Sequence, residues 1–218
     1  MRQHAPEASI FLRDPESNLL QGLGCQGQKG QTDRARQKER TKLMSRSPQP
    51  SPVSGHDGPY PAPVEIAQQS VRPDWIDYNG HMNVGYYGIA FDKASDVLLS
   101  MHLGVGVEYV EATGQGPYVL QSHQHYLNEM KLDEAFCVRF RLIDHDTKRL
   151  HLFGDMVSRQ SGNICATQEV MVMNVDHQTG RSAAYPDWAV QRFARMKADH
   201  AGLVRPSQLG KALGIRGR

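Results

Sequence analysis

The sequence predicts an α+β domain in which one long central helix is wrapped by a five-stranded antiparallel sheet and followed by a C-terminal helix. Three observations predict it. An apolar stripe runs at helical spacing from Val84 to Met101, four consecutive runs of strand composition follow Pro117, and a proline opens a second helical pattern at Pro186. A long apolar helix followed by a meander of strands packs economically when the sheet curls around the helix and buries it.

Residues 1–63 carry no sustained apolar periodicity. They drift from a Gln/Gly-rich stretch (Gln26 to Gln31) through the charged run Asp33 to Lys42 into the Ser/Pro-rich stretch Ser45 to Pro52. This composition is that of a disordered extension, placed ahead of a domain at 64–200 and a flexible tail at 201–218. Arg34, Arg36, Lys38, Arg40 and Lys42 would suit an acidic partner, but Asp33 and Glu39 interrupt them and no aromatic side chain accompanies them. A solvated segment is expected there, with no nucleic-acid partner. Met44 begins a shorter, Ser/Pro-rich lead into the domain and is a candidate start.

The first strand runs from about Val64 to Val71, before Arg72-Pro73, since the residue ahead of a proline favours extended backbone. The long helix runs from about Asn83 to Leu103. Val84, Tyr87, Phe91, Ala94, Leu98 and Met101 recur at three- and four-residue intervals, Asn83 suits the N-cap, and Gly104 suits the stop. Gly104 to Gly116 reads as a loop with one helical turn around Val107, Tyr109 and Val110. Strands follow at Pro117–Met130, Ala135–Asp144, Lys148–Ser158 and Ile164–Val175, joined by Leu132-Asp133-Glu134, Asp144-His145-Asp146-Thr147 and Gln160-Ser161-Gly162-Asn163. Short turns between consecutive strands mean antiparallel pairing. Alternation agrees: Val138, Phe140 and Leu142 oppose Cys137, Arg139 and Arg141, so one face of the sheet is buried. The last helix, Pro186 to about Ala198, places Trp188, Phe193 or Met196 in the core.

The formal charge of +2 does not argue for a nucleic-acid partner. No run of 18 apolar residues is present to span a membrane, and the start lacks the pattern of a secretory signal. Cys25, Cys137 and Cys165 share no metal-type spacing, and an odd count suits a reducing compartment, so a cytoplasmic chain with inert thiols is expected.

The stretch richest in chemistry is Asp77-Tyr78-Asn79-Gly80-His81-Met82-Asn83, which gathers a carboxylate, two amides and an imidazole just before the long helix. A glycine among short polar residues is turn composition. A turn feeding a helix sets its polar groups beside unpaired backbone N–H donors, which suits an oxyanion.

Val71 to Asn83, with Tyr86-Tyr87 on the helix, resembles the signature of hotdog-fold acyl-CoA thioesterases of the 4-hydroxybenzoyl-CoA thioesterase type, over about Val64 to Val175. The resemblance implies that Asp77 is nucleophile or general base. The Asp-x-Asn-x-His spacing is also similar to plant acyl-carrier-protein thioesterases, which adds Glu129, on the following strand, to Asp77, Asn79 and His81 as the candidate catalytic set. Taken with Lys148-Arg149-Leu150-His151-Leu152-Phe153, the loop resembles betainyl-CoA thioesterases of carnitine breakdown, here without a dehydrogenase domain. The family implies a homodimer or dimer of dimers, an acyl-CoA substrate, and neither cofactor nor metal.

Thioester hydrolysis needs a carboxylate or activated water to attack the carbonyl and donors to hold the oxyanion, while the thiolate leaves readily. Asp77 or Glu129 would attack or activate water, Asn79 would position water or substrate, and His81 could be base, donor or a partner of Asp77. Backbone N–H groups near Tyr86 to Gly88 would form the oxyanion hole. Asn83, Trp75, Tyr78, Tyr86, Tyr87, Gly88, His123 and His125 are the candidate substrate-binding residues. His123 and His125 share a strand face, and with no further ligands evident they read as a packed or substrate-facing pair rather than a metal site. A trimethylammonium group would want aromatic faces, and Trp75, Tyr78, Tyr86, Tyr87, Tyr118 and Tyr126 cluster around the loop and second strand. Two other functions fit the same fold. An enoyl-CoA hydratase would have one more residue before the histidine and a proline where Gly80 stands. An acyl-CoA sensor would need an effector surface.

Overall fold

The structure, a computed structural model, describes residues 49–215. The expected extension over residues 1–48, its basic run and the last three residues lie outside the described residues. Strand β1 (Val64–Ser70) leads through a 3₁₀ turn (Pro73–Trp75) to helix α1 (Val84–Val97), which continues as a π-helical turn, Leu98–Leu103. Gly104, at φ 73°, ends it, a left-handed position that glycine takes without strain. Then come α2 (Val107–Thr113), β2 (Gln115–Tyr126), β3 (Ala135–His145), β4 (Arg149–Ser158), β5 (Ile164–Asp176), the two-residue β6 (Arg181–Ser182) and α3 (Asp187–Asp199).

The strands lie in the order β1-β3-β4-β5-β2, with β6 on β5, and every pair is antiparallel. β1 and β2 are therefore opposite edges, and α1 carries the chain from one edge to the other across the sheet. The inner face supplies Val138, Phe140, Leu152, Met156, Ala166 and Val170, and α1 supplies Tyr87, Ala90, Phe91, Ala94 and Leu98, all buried in one core. At Gly154 of β4 the rings of the sheet and of the helix fill the space a side chain would take. A Cβ there would lie 2.8 Å from the Phe140 ring and 3.2 Å from the Phe91 ring, too near for any side chain.

Four sequence expectations need correction. Residues 107–113 form a helix with Tyr109 buried; the glycines that suggested a loop are its caps, Gly106 before it and Gly114, at φ 66°, after it. The second strand stops at Tyr126 rather than Met130, because the N–H groups of Leu127 and Asn128 both turn to the Cys165 carbonyl, at 2.8 and 3.0 Å. Glu129 is thus on a connection, not a strand.

The flanking segments are tied down further than periodicity suggests. Gln49 Oε1 accepts the Asp187 N–H (2.6 Å), Pro50 O accepts Trp188 Nε1–H (2.6 Å), and Ser54 O accepts Arg192 Nη1–H (2.7 Å). Tyr60 is buried, and its N–H donates to Asp199 Oδ2 at 2.8 Å. Residues 49–63 are therefore bonded to the domain and are not part of the expected extension. These bonds run to polar groups of α3, which an apolar-period reading cannot see. Likewise the segment after α3 lies on the outer sheet face. Arg141 Nη1 donates to Val204 O and Gly210 N–H donates to Glu169 Oε2, both at 2.7 Å, which accounts for the burial of Phe153 and Asp155 on that face.

Candidate active site

The 77–83 loop is a tight turn closed by an antiparallel bridge between Ile76 and Met82. Asp77 N–H donates to His81 O and Gly80 N–H to Asp77 O, each at 3.0 Å. Gly80 sits at φ 78°, where a side chain would be strained. Asp77 Oδ1 accepts the Asn79 N–H at 2.8 Å and lies 3.9 Å from His81 Nδ1. That nitrogen is also 3.2 Å from Met82 O; a carbonyl only accepts, so in the neutral ring Nδ1 carries the hydrogen and Nε2 is left as an acceptor. Asn83 caps α1 through Oδ1, which accepts the Gly85 N–H at 3.0 Å.

A cleft of about 510 Å³ opens over this loop. One wall is Asp77, Tyr78, Asn79, His81 and Asn83, and the facing wall is Tyr126, Leu127, Asn128 and Glu129, with Val84 and Tyr87 of α1 between them. Tyr126 stands edge-on to Tyr87 at 5.2 Å between ring centres. Burial pushes the Tyr87 hydroxyl up to about 12, so it remains a hydrogen-bond donor at any working pH. Glu129 differs from Asp77 in its setting. Its side chain is 61% exposed and paired with Lys131 Nζ at 2.7 Å, whereas that of Asp77 is 13% exposed. The Lys131 hydrogen bond and charge, with a smaller contribution from His81, hold the Glu129 carboxyl below the usual glutamate range.

All four candidate catalytic residues and Asn83, Tyr78 and Tyr87 thus share one cleft. The other candidates do not line it. Trp75, 4% exposed, stacks on Tyr86 at 5.4 Å and 14° behind the loop, and Trp75 O accepts the Asn83 N–H at 2.8 Å. The pair supports the loop from behind. Gly88 lies within α1, and a Cβ on it would sit 3.3 Å from Gln124 Nε2, so it marks where β2 crosses the helix. His123 and His125 stand opposite Glu169 and Thr167 in the β2–β5 register. Gln124, between them, faces the helix, so both imidazoles point to the other sheet face. Tyr118 packs against His177 with the rings tilted, 5.5 Å between centres, near the far end of β2.

The expected oxyanion donors also move. The Gly85 N–H is taken by Asn83 Oδ1 and the Tyr86 N–H by Asn83 O at 3.0 Å, while the Gly88 N–H belongs to the helical ladder. The Val84 N–H, first in the helix and with no acceptor among the described residues, is a first-turn donor left at the cleft. Cys137 and Cys165 are buried, and burial pushes both thiols up. Sequence reasoning missed Val84, Asn128 and the Met130 carbonyl, which accepts the Met82 N–H at 2.8 Å and joins the two walls. The signal available was adjacency, since Leu127 to Met130 directly follow β2.

Residues 71–193, from just ahead of the loop into α3, match the thioesterase-like superfamily. The chain belongs to that superfamily. The betainyl-CoA thioesterase of Pseudomonas aeruginosa is 32% identical over 145 residues, which cover 66% of this chain and 91% of that protein. The L-carnitine dehydrogenase/betainyl-CoA thioesterase of Rhizobium meliloti is 34% identical over 152 residues, 70% of this chain, which spans 30% of that longer protein. Among solved structures, a hypothetical protein of Staphylococcus aureus in complex with CoA superposes with a TM-score of 0.66 at 29% identity, covering 73% of this chain and all of that one. The thioesterase-like hotdog architecture expected from the loop is therefore the fold of this chain. No helix among the described residues is long and apolar enough to cross a membrane.

Proposed function

We propose that the protein hydrolyses a small acyl-CoA thioester, with a cationic acyl group of the betainyl kind as substrate, in carnitine breakdown in the cytoplasm. The observation that carries this reading is the single cleft in which Asp77, Asn79 and His81, held at a helix start, face Tyr87, Tyr126 and Glu129. Betainyl-CoA is taken from the names of the relatives; the aromatic and acidic far wall supports it, because ring faces and a carboxylate both favour a trimethylammonium group.

Asp77 supplies the reacting carboxylate, attacking the thioester carbonyl itself or taking a proton from the water that does. The carbonyl oxygen gains the negative charge, and the Val84 N–H and the side chains of Asn79 and Tyr87 are the donors within the cleft to hold it. Collapse breaks the C–S bond, and CoA leaves as thiolate to be protonated; one water is consumed for each acid and thiol formed. Glu129, exposed and already paired with a cation, is a weak base and serves to draw the acyl cation. A second copy of the chain is the inferred partner.

Release of CoA thiol from betainyl-CoA, short aliphatic acyl-CoAs and 4-hydroxybenzoyl-CoA tests the reading, with wild type beside Asp77→Asn. Turnover is expected for betainyl-CoA, falling about 1,000-fold or more in the variant, the scale on which loss of a reacting group acts. A folded wild type that turns over no member of the panel would sink the proposal.

A further inference from the structure

The connection between β2 and β3 carries the far wall of the cleft, and one buried acid within it takes no part in the chemistry above. Glu134 is 9% exposed. One of its carboxylate oxygens accepts the Lys131 N–H at 2.9 Å, and the other accepts the Ser158 Oγ–H from the end of β4. Ser158 Oγ in turn accepts the N–H groups of Gln160 at 3.3 Å and Ser161 at 3.2 Å. The backbone of the same residue is equally committed: Glu134 O accepts the Val71 N–H at 3.0 Å, and Asp133 N–H donates to Val71 O at 2.9 Å. Asp133 itself sits at φ 61°, so the turn from 131 to 134 is sharp and held against some strain.

Three segments meet on this one residue: the lead into the Asp77 loop at Val71, through the Glu134 backbone carbonyl, and the 129–131 connection and the end of β4, through its carboxylate. Met130 lies between Lys131, whose amide Glu134 fixes, and Glu129. Its carbonyl accepts the Met82 N–H at 2.8 Å, one residue from His81. A shift of the Lys131 peptide therefore reaches the loop through a single hydrogen bond. Burying a carboxylate costs several kcal/mol unless it is fully hydrogen-bonded. A glutamine of the same shape would avoid that cost, but both partners here are donors, and a carboxamide would turn its NH₂ group toward one of them. The negative charge at this position is used geometrically, to receive two donors at once.

We propose that Glu134 is a positioning residue for thioester cleavage: by receiving the Lys131 N–H and the Ser158 Oγ–H it sets the Met130 peptide against Met82 and so fixes the Asp77–His81 turn. The inference rests on the thioesterase reading for its activity readout, while the geometry is tested separately. Its charge also reaches the cleft, contributing with burial to the raised Tyr87 hydroxyl.

Two measurements on Glu134→Gln, Ser158→Ala and the double variant test it. In steady-state hydrolysis, each single variant is expected to lower kcat about 10-fold or more for every acyl group, with KM changed less than 3-fold. The double variant should lose no more than the worse single one, because both act through one contact. In hydrogen exchange of the unliganded proteins, amides of 77–83 and 127–131 should exchange about 10-fold faster while β4 and β5 keep their protection. Wild-type-like kcat in Glu134→Gln, or exchange that rises uniformly across the domain as for a merely weakened fold, would overturn the proposal. If the wild type hydrolyses nothing, the functional reading fails on its own, and the exchange pattern still decides whether Glu134 holds the loop.

Discussion

Asp77 and Glu129 are both carboxylates of one cleft, and their surroundings differ. Asp77 is shielded, takes the Asn79 amide and lies within reach of His81. Glu129 is open to solvent and kept ionised by Lys131, which suits attraction of a cation better than proton transfer near neutral pH. Glu129→Gln and Tyr126→Leu are therefore expected to raise KM for betainyl-CoA roughly 2- to 5-fold, the range of an exposed cation–π contact, and to leave acetyl-CoA unchanged. Equal losses for both substrates would remove the cation-binding wall. The convergence of Asp77, Asn79 and His81 was legible because they are adjacent in sequence and need only a turn to meet. The placement of the candidate binding residues was less so. Strand parity sends His123 and His125 to the outer face, and the stacking of Trp75 on Tyr86 uses up two aromatic faces that composition alone left available.

At the level of elements, the two ends of α1 have different tasks. The first turn borders the cleft, and the π-turn at the other end is bound by the 49–63 segment. There His56 N–H donates to His102 O at 3.1 Å, His56 Nε2 lies 3.3 Å from His102 Nδ1, and Tyr60 donates its hydroxyl to His56 O. Burial, and next the His56 charge, push the His102 imidazole below its usual 6.5. Burial does the same to His200, whose Nε2 is 2.9 Å from Pro61 O. A histidine that binds its proton less tightly folded than unfolded lends stability above about pH 6.5, lost as pH falls through and below that value. Melting temperature should therefore drop between pH 7.5 and 5, and exchange at 49–63 should rise first. In His102→Leu the drop should be shallower; parallel curves for the two proteins would exclude the linkage. The long helix and four strands were legible from period alone. α2 was hidden because its glycine caps resemble loop punctuation, and the 49–63 segment because its order comes from backbone carbonyls meeting Arg192 and Trp188.

For the molecule as a whole, the strand order leaves β2 as an open edge, with Tyr118, Val119 and Leu120 each more than 40% exposed. Ile89, Val97 and Met101 of the long helix are exposed as well. An open edge beside apolar surface favours pairing with another chain, and a second copy joined edge to edge would cover both. Sedimentation should give a dimer of the 24.4 kDa chain or a multiple of it, and Leu120→Lys should shift it toward monomer; a wild type that sediments as a monomer would exclude the pairing. The 49–63 segment has a last consequence for how such a domain can be joined to others. Residue 49 is fastened to the first turn of α3, which packs against the π-turn, so it lies toward the end of α1 remote from the cleft. The helix and its π-turn together run roughly 30 Å at about 1.5 Å per residue. A domain joined directly at residue 49 would therefore attach at the pole opposite the mouth of the cleft, leaving that mouth open.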